Sequence, residues 1–310
     1  VLELAGVYKA ILLVAALVAA QTLHPSLIIS DTTTCSKMAP HNQTLLLGDS
    51  LSLLRQLHTN TVDAIVTDPP YMTTDIDFDK KGFNVNEFID LCVDKLKPNG
   101  QLVCTGSLEL LACFAKTFCV RWTGVWIKDN TVMRSHSAKK PMSKSELYAV
   151  FAHPDHKIKD LVFNQILLPG EPYTKTQKHK GKVRNTNDQI ARINGSAFTI
   201  DGYQSVNEGT RRQTDVINAP SKPCMVHSER TIHPTQKPVK LMSTFIQWTT
   251  NEGDLVLDPF MGSGTTGVAC KELKRDFIGI ELNPEFYEIA LNRLKDEVVK
   301  DDNQLNLFNV

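Results

Sequence analysis

Residues 255–269 read LVLDPFMGSGTTGVA. Three apolar residues run into Asp258 and Pro259. Three glycines follow at 262, 264 and 267, and TTGVACKEL (265–273) continues with the spacing of a helix. The glycines obey G-x-G-x-x-G, and the next apolar run, FIGIEL (277–282), carries Glu281, 23 residues after Asp258. A strand, a glycine turn, a helix and an acid at the end of the following strand are the parts of a nucleotide-type site. The glycines let a ligand approach the backbone, and the acid takes ribose hydroxyls. A glycine-rich turn that binds nothing explains the glycines but not their combination with the helix and the acid.

A dinucleotide enzyme, that is, a nicotinamide-dependent oxidoreductase, is one reading of this pattern. Two features point away from it. Only 43 residues follow Gly267, so the sheet must be completed by strands that come earlier in the chain. Asp258 also stands at the mouth of the loop, where a carboxylate at contact distance would repel a pyrophosphate by about 1 kcal/mol or more. The same charge suits a ligand carrying a sulfonium and an ammonium group, which is S-adenosylmethionine. The candidate cofactor residues of this stretch are Asp258, Pro259, Phe260, Gly262, Ser263, Gly264, Thr265 and Thr266, with Glu281 beyond it.

Outward from the loop, apolar strands alternate with amphipathic helices. Strands are expected at 44–49, 62–68, 99–106, 122–128, 146–153, 254–258 and 277–282. Helices are expected at 50–57, 85–96, 107–116, 239–248, 265–273 and 284–298, with Pro284 in a first turn, where its missing N–H costs nothing. Such alternation implies an α/β sheet with right-handed crossovers. The pattern stops at about Pro154 and resumes after Arg230. Within the gap, residues 173–192 hold six basic side chains against one acid, Asp188. The expected organisation is an N-terminal extension (1–37), a first catalytic part (38–153), an irregular insert (154–230), a second catalytic part (231–299) and a tail (300–310).

The run VDAIV (62–66) ends in TDPPY (67–71). Two adjacent prolines remove two N–H donors and fix two φ angles, which makes the backbone stiff. A rigid strand-ending turn is the bland explanation. At the same sheet edge as a methyl donor, each residue gains a chemical reason. An exocyclic amine on a base is a poor nucleophile because its lone pair is delocalised into the ring. Two acceptors holding its two N–H bonds turn the nitrogen pyramidal. Asp68 offers one acceptor, the Pro69 carbonyl the other, Pro70 keeps that carbonyl in place, and Tyr71 offers a face for stacking, worth ~1–3 kcal/mol.

The order GDS (48–50), TDPPY, basic insert, HPTQKP (233–238), DPFMGSGTTG (258–267), GIEL (279–282) resembles the permuted β group of amino-directed DNA methyltransferases, over roughly residues 44–294. The resemblance implies a Rossmann-like S-adenosylmethionine-dependent sheet, circularly permuted, with an irregular target-recognition insert. It implies that Lys237 faces the methionine carboxylate of the donor and that Asp49 lies near the donor's adenine. Read from the residues alone, Asp49 equally caps the helix that starts at Ser50. Position 145 is a departure: serine stands where related sequences more often carry histidine before the glutamate.

The resemblance also implies double-stranded DNA as partner and extrusion of the target base, since a stacked base cannot present its amine. Lys139 and Lys140 suit phosphates. Lys175, Lys178, Lys180, Lys182 and Arg184, together with Arg211 and Arg212, are the candidate backbone contacts of the insert. Adenine is expected over cytosine because the motif opens with aspartate instead of serine. An RNA or protein amino-methyltransferase and a non-catalytic DNA-binding relative stay open, as do a restriction endonuclease partner and a homodimer.

The bulk numbers agree with this class. The chain has 310 residues, 34 basic against 34 acidic side chains and 42% hydrophobic residues, so any grip on DNA must be local. Seven cysteines without a Cys-x-x-Cys pair suggest small buried residues in a reducing, cytoplasmic setting, with neither a disulfide framework nor a metal. AILLVAALVAA (10–20) is too short to span a bilayer and has the length of a signal-peptide core. Met38 precedes a clean start, so residues 1–37 are expected to stand outside the catalytic fold.

Overall fold

A computed structural model describes residues 42–70, 83–132, 142–177 and 203–295 of the chain. In chain order these form β1 (Gln43–Leu47), α1 (Ser50–Gln56), β2 (Val62–Thr67), α2 (Val85–Lys95), β3 (Leu96–Gly106), α3 (Leu108–Phe114), β4 (Cys119–Val132) and β5 (Ser143–Ala152). Five short strands follow: β6 (Leu167–Pro169), β7 (Tyr173–Gln177), β8 (Tyr203–Asn207), β9 (Thr210–Arg212) and β10 (Val216–Asn218). The last group is α4 (Val239–Thr249), β11 (Leu255–Asp258), α5 (Thr265–Glu272), β12 (Asp276–Glu281) and α6 (Pro284–Leu294).

The central sheet runs β1-β12-β11-β2-β3-β5-β4-β10. The two late strands, β11 and β12, lie between the two earliest, β1 and β2, so the sheet is indeed completed by strands from the start of the fold. From β1 to β3 all neighbours are parallel. These strands are buried on both faces, which explains why they read as continuous apolar runs. Alternate residues serve opposite layers. Ala64, Val66, Val103, Val256 and Phe277 pack beneath α4, α5 and α6, whereas Ile65, Leu102, Cys104, Leu257 and Ile278 pack against α1, α2 and α3. Each fully buried Leu, Ile or Phe contributes about 1.5–3 kcal/mol relative to exposure.

Local chemistry sets the helix starts. Asp49, Asn84, Ser107 and Asn283 each accept a backbone N–H of the first turn through the side chain, and Pro284 occupies the first turn of α6. The caps at Asp49, Ser107 and Asn283 turn the chain from a strand end into the covering helix.

Three expectations need correction. β5 pairs antiparallel with both β3 and β4, so this part of the sheet is a long hairpin and not a further crossover unit. The insert is less irregular than its composition implies. β6 pairs with β9 and β7 with β8 as antiparallel ribbons, while β10 returns to the main sheet parallel to β4. That return is anchored by Tyr148, whose hydroxyl donates to the Asp215 carbonyl at 2.7 Å, and by Trp126, whose indole donates to the Ala219 carbonyl at 2.8 Å. Finally, Cys92, Cys104 and Cys270 are buried thiols, but Cys119 and Cys224 are exposed. Among the described residues no helix is long and apolar enough to cross a membrane. The expectations for residues 1–37 and 300–310 lie outside the described residues.

Candidate active site

The glycine loop connects the C-terminal end of β11 to α5. Gly262 and Gly264 take positive φ angles of 53° and 76°, a region unfavourable to other L residues. A Cβ on Gly262 would stand 2.9 Å from the His233 ring, and one on Gly264 would stand 2.8 Å from the Ala290 Cβ. Both glycines are therefore required by conformation and by space. Glu281 spans the loop: its Oε2 accepts the Gly262 N–H at 2.9 Å and its Oε1 accepts the Asn283 N–H at 2.7 Å. Burial nevertheless raises its pKa above the ordinary carboxylate value.

Asp258 differs from its expected role. It is only 3% exposed, and its carboxylate is spent on the protein. Oδ1 accepts from the Thr67 hydroxyl at 2.9 Å and the Phe260 N–H at 3.1 Å, and Oδ2 accepts from the Thr266 hydroxyl at 2.6 Å. Desolvation raises its pKa to about 6, against the lowering effect of these donors. It organises the loop instead of facing a ligand cation. Pro259 and Ser263 are likewise buried scaffold: the Pro259 carbonyl accepts the Ser50 hydroxyl at 2.5 Å. Phe260 is half-buried and packs edge-on against Phe83 and Phe88, with centroids at 5.3 and 5.2 Å.

Arg293 gave no signal in the sequence, because it lies on α6, far from any motif. Its guanidinium reaches back to the Ser263 carbonyl at 2.7 Å and the Thr265 hydroxyl at 3.2 Å, tying the loop from below. Asp49 is exposed, and its Oδ2 accepts the Ser52 N–H at 2.9 Å, so the capping role is realised. The His233 ring packs edge-on against Phe286, and burial lowers its pKa to about 4, with Lys237 and Lys222 adding to the shift.

Asp68 follows β2 directly, one strand from the glycine loop. Its Oδ1 accepts the Thr105 hydroxyl of β3 and its Oδ2 accepts the Lys237 ammonium. Lys237 is 8% exposed and also lies 3.6 Å from Glu146 Oε2 on β5. The other oxygen of Glu146 accepts from Lys128 of β4, which lies over the Trp126 ring. Burial raises the Glu146 pKa, but Lys237 and Lys128 outweigh it and leave the carboxyl below its usual value. The chain of alternating charge Asp68, Lys237, Glu146, Lys128 thus crosses four strands at one edge. The structure places Lys237 on two carboxylates of the protein, whereas the resemblance had it facing the donor. Thr105 and Lys128 belong to this constellation and carried no readable motif, while Thr67 and Glu146 stood in recognisable segments without an assigned role.

Pro69 is buried and Pro70 half-buried. Tyr71, Lys139, Lys140, Lys178, Lys180, Lys182 and Arg184 lie outside the described residues. The backbone of Lys175 is in β7. Arg211 is occupied within the insert: it donates to Asn207 Oδ1 at 2.7 Å and to the Thr210 carbonyl at 2.8 Å, and it lies over the Tyr173 ring. Arg212 is exposed.

A glycine loop clasped by acids, beside a proline-stiffened acid on the neighbouring parallel strand, defines an α/β enzyme of the group-transfer kind. Comparison with known proteins narrows the class. Residues 62–292 match the N6/N4 DNA methylase family. The type II methyltransferase M.HpaI of Haemophilus parainfluenzae is 30% identical over 83% of this chain and 75% of its own length. The DNA adenine methyltransferase YhdJ of Escherichia coli is 28% identical over 81% of this chain and 82% of its own length. Among solved structures, the M1.HpyAVI–SAM complex is 28% identical with a TM-score of 0.54, covering 81% of this chain and 98% of that one. The cytosine-N4-specific PvuII DNA methyltransferase shares the fold at 17% identity, with a TM-score of 0.54 over 86% of this chain and 91% of that one. The chain belongs to the N6/N4 DNA methylase family.

Proposed function

We propose that this chain is a site-specific methyltransferase of the permuted β group. It moves the methyl of S-adenosylmethionine to the exocyclic amino group of an adenine extruded from duplex DNA. The observation that carries the reading is the junction of the two motifs. β2 and β11 are paired neighbours, and the Thr67 hydroxyl donates to Asp258 at 2.9 Å, so TDPPY and DPFMGSGTT end at one place on the sheet edge.

The loop fits the donor: a Cβ would fill the cradle at Gly262 and Gly264, and Glu281 closes the loop from the end of the next strand, the position of a ribose-binding acid. When bound, S-adenosylmethionine supplies a methyl on a sulfonium centre, which is already a good leaving group. Gly262, Gly264, Thr265, Phe260 and Glu281 would hold it, Asp49 would lie beside its adenine, and Asp258, Pro259, Ser263 and Thr266 would keep the loop in shape. Asp68 accepts one N–H of the target amine and the Pro69 carbonyl accepts the other. That leaves the nitrogen lone pair directed outward while Tyr71 stacks on the base. As the amine becomes cationic, the Asp68 carboxylate at ~4 Å stabilises it by about 4 kcal/mol at an effective dielectric constant near 20. No metal is needed, because the methylated amine is acidic enough to lose its proton.

Aspartate at the head of the motif favours adenine, and the similarity to YhdJ supports that choice. Residues 154–230, with Lys139, Lys140, Lys175, Lys178, Lys180, Lys182, Arg184 and Arg212 as phosphate contacts, would recognise the target. The test is long-read sequencing of DNA from a methylation-deficient host expressing the chain. The expected result is N6-methyladenine at one short motif. N4-methylcytosine would move the assignment to cytosine, and unmodified DNA would overturn it.

A further inference from the structure

The charge chain across β2, β3, β5 and β4 holds one feature that the proposed reaction does not use. Glu146 Oε1 is held by the Lys128 ammonium, whose own position is fixed over Trp126. Glu146 Oε2 is buried and, among the described residues, has no hydrogen-bond donor; the Lys237 ammonium lies 3.6 Å away. Lys237 is meanwhile bound to Asp68, the carboxylate that must receive the target amine. An ammonium on Asp68 weakens that carboxylate as an acceptor. It also places a positive charge beside an amine that becomes positive as it is methylated. A displacement of about 1 Å would bring Lys237 within ordinary hydrogen-bonding distance of Glu146 Oε2. The ammonium keeps a carboxylate partner throughout, and Asp68 exchanges it for the amine N–H beside the Thr105 hydroxyl, gaining a cationic partner as the amine is methylated.

We propose that Glu146 is a positioning residue for methyl transfer: it provides the second berth to which the Lys237 ammonium withdraws when the exocyclic amine takes its place on Asp68. Lys128 keeps that berth rigid and anionic. The Thr105 hydroxyl stays on the other oxygen of Asp68 and preserves its orientation. The four charged groups sum to zero in both arrangements, and the shift needs no proton transfer. This inference rests on the functional reading above, because it needs an amine to displace the lysine.

The test compares single-turnover methyl transfer and calorimetric donor binding for the parent chain, Glu146→Gln, Lys237→Met and the double variant. Glu146→Gln keeps the shape but removes the anionic berth, so Lys237 stays on Asp68. The transfer rate should fall by about 100-fold while donor affinity stays within about twofold. Removing Lys237 in that background uncovers Asp68, so the double variant should recover roughly tenfold over Glu146→Gln. Glu146→Asp, which keeps the charge, should retain more activity than Glu146→Gln, and Glu146→Met, which also lacks the charge, carries the same comparison with Lys237→Met if the glutamine variant fails to fold. Additive losses in the double variant, or a Glu146→Gln rate near that of the parent, would overturn the Glu146 assignment alone. A parent chain that transfers no methyl to DNA would instead overturn the functional reading.

Discussion

Asp68 and Lys237 make the most consequential contact in the molecule at the scale of single residues. If Lys237 faced the methionine carboxylate of the donor, Lys237→Met would weaken donor binding by tenfold or more. Its place between Asp68 and Glu146 leads to a different expectation. Donor affinity should change by less than about threefold, while the transfer step slows by roughly tenfold because two neighbouring carboxylates lose the cation between them. Calorimetry and single-turnover kinetics on one preparation separate the two outcomes. The sequence could name Asp68 because its chemistry is written in contiguous letters, an acid before two prolines. It could not name Thr105, Lys128 or Arg293, since each reaches the site from a distant segment and reads locally as an ordinary strand or helix residue. The pairing of Lys237 with Asp68 was not legible, since proximity to a motif does not say which charges a flexible ammonium meets.

Elements were legible wherever the apolar period was clean. The parallel strands and their covering helices fall within a few residues of expectation, because burial on two faces forces continuous apolar runs. The β4–β5 hairpin and the return of β10 to the sheet were not legible, since strand direction and pairing partner leave no local trace. The glycine loop yields a sharp prediction at this scale. Gly264→Ala places a Cβ at φ 76° and 2.8 Å from the Ala290 Cβ. The conformation alone costs about 1–2 kcal/mol, so a loss of at least about 2 kcal/mol is expected in denaturant titration, with donor binding weakened further. The junction beneath the loop yields a second prediction. The Asp258 pKa, normally 3.8, is raised to about 6, so between these values the unfolded chain releases a proton that the folded chain keeps. This residue therefore lowers stability as pH rises from about 4 to 7, by about 3 kcal/mol in full. Asp258→Asn should gain on the parent by up to that amount across the window, as read from unfolding midpoints at each pH. A constant difference between the two would contradict the assignment.

Across the whole molecule, charge has to be reconciled with function. A chain with 34 basic and 34 acidic side chains has no general affinity for nucleic acid, so binding must come from a local surface. The exposed Arg212 belongs to that proposed surface, unlike Arg211, which is engaged within the insert. Arg212→Ala should weaken DNA binding similarly for all sequences and reduce the slope of log affinity against log salt by about one. Filter binding over a salt series would show it, and an unchanged slope would remove Arg212 from the interface. Methyl transfer needs the whole assembly of sheet, loop and strand-end acid. Its most direct test is mass spectrometry of nucleosides from duplex DNA incubated with S-adenosylmethionine and either the parent chain or Asp68→Asn. The expected result is N6-methyladenine with the parent and at least about 100-fold less with the variant. Equal methylation by both proteins, or none by the parent, would contradict it.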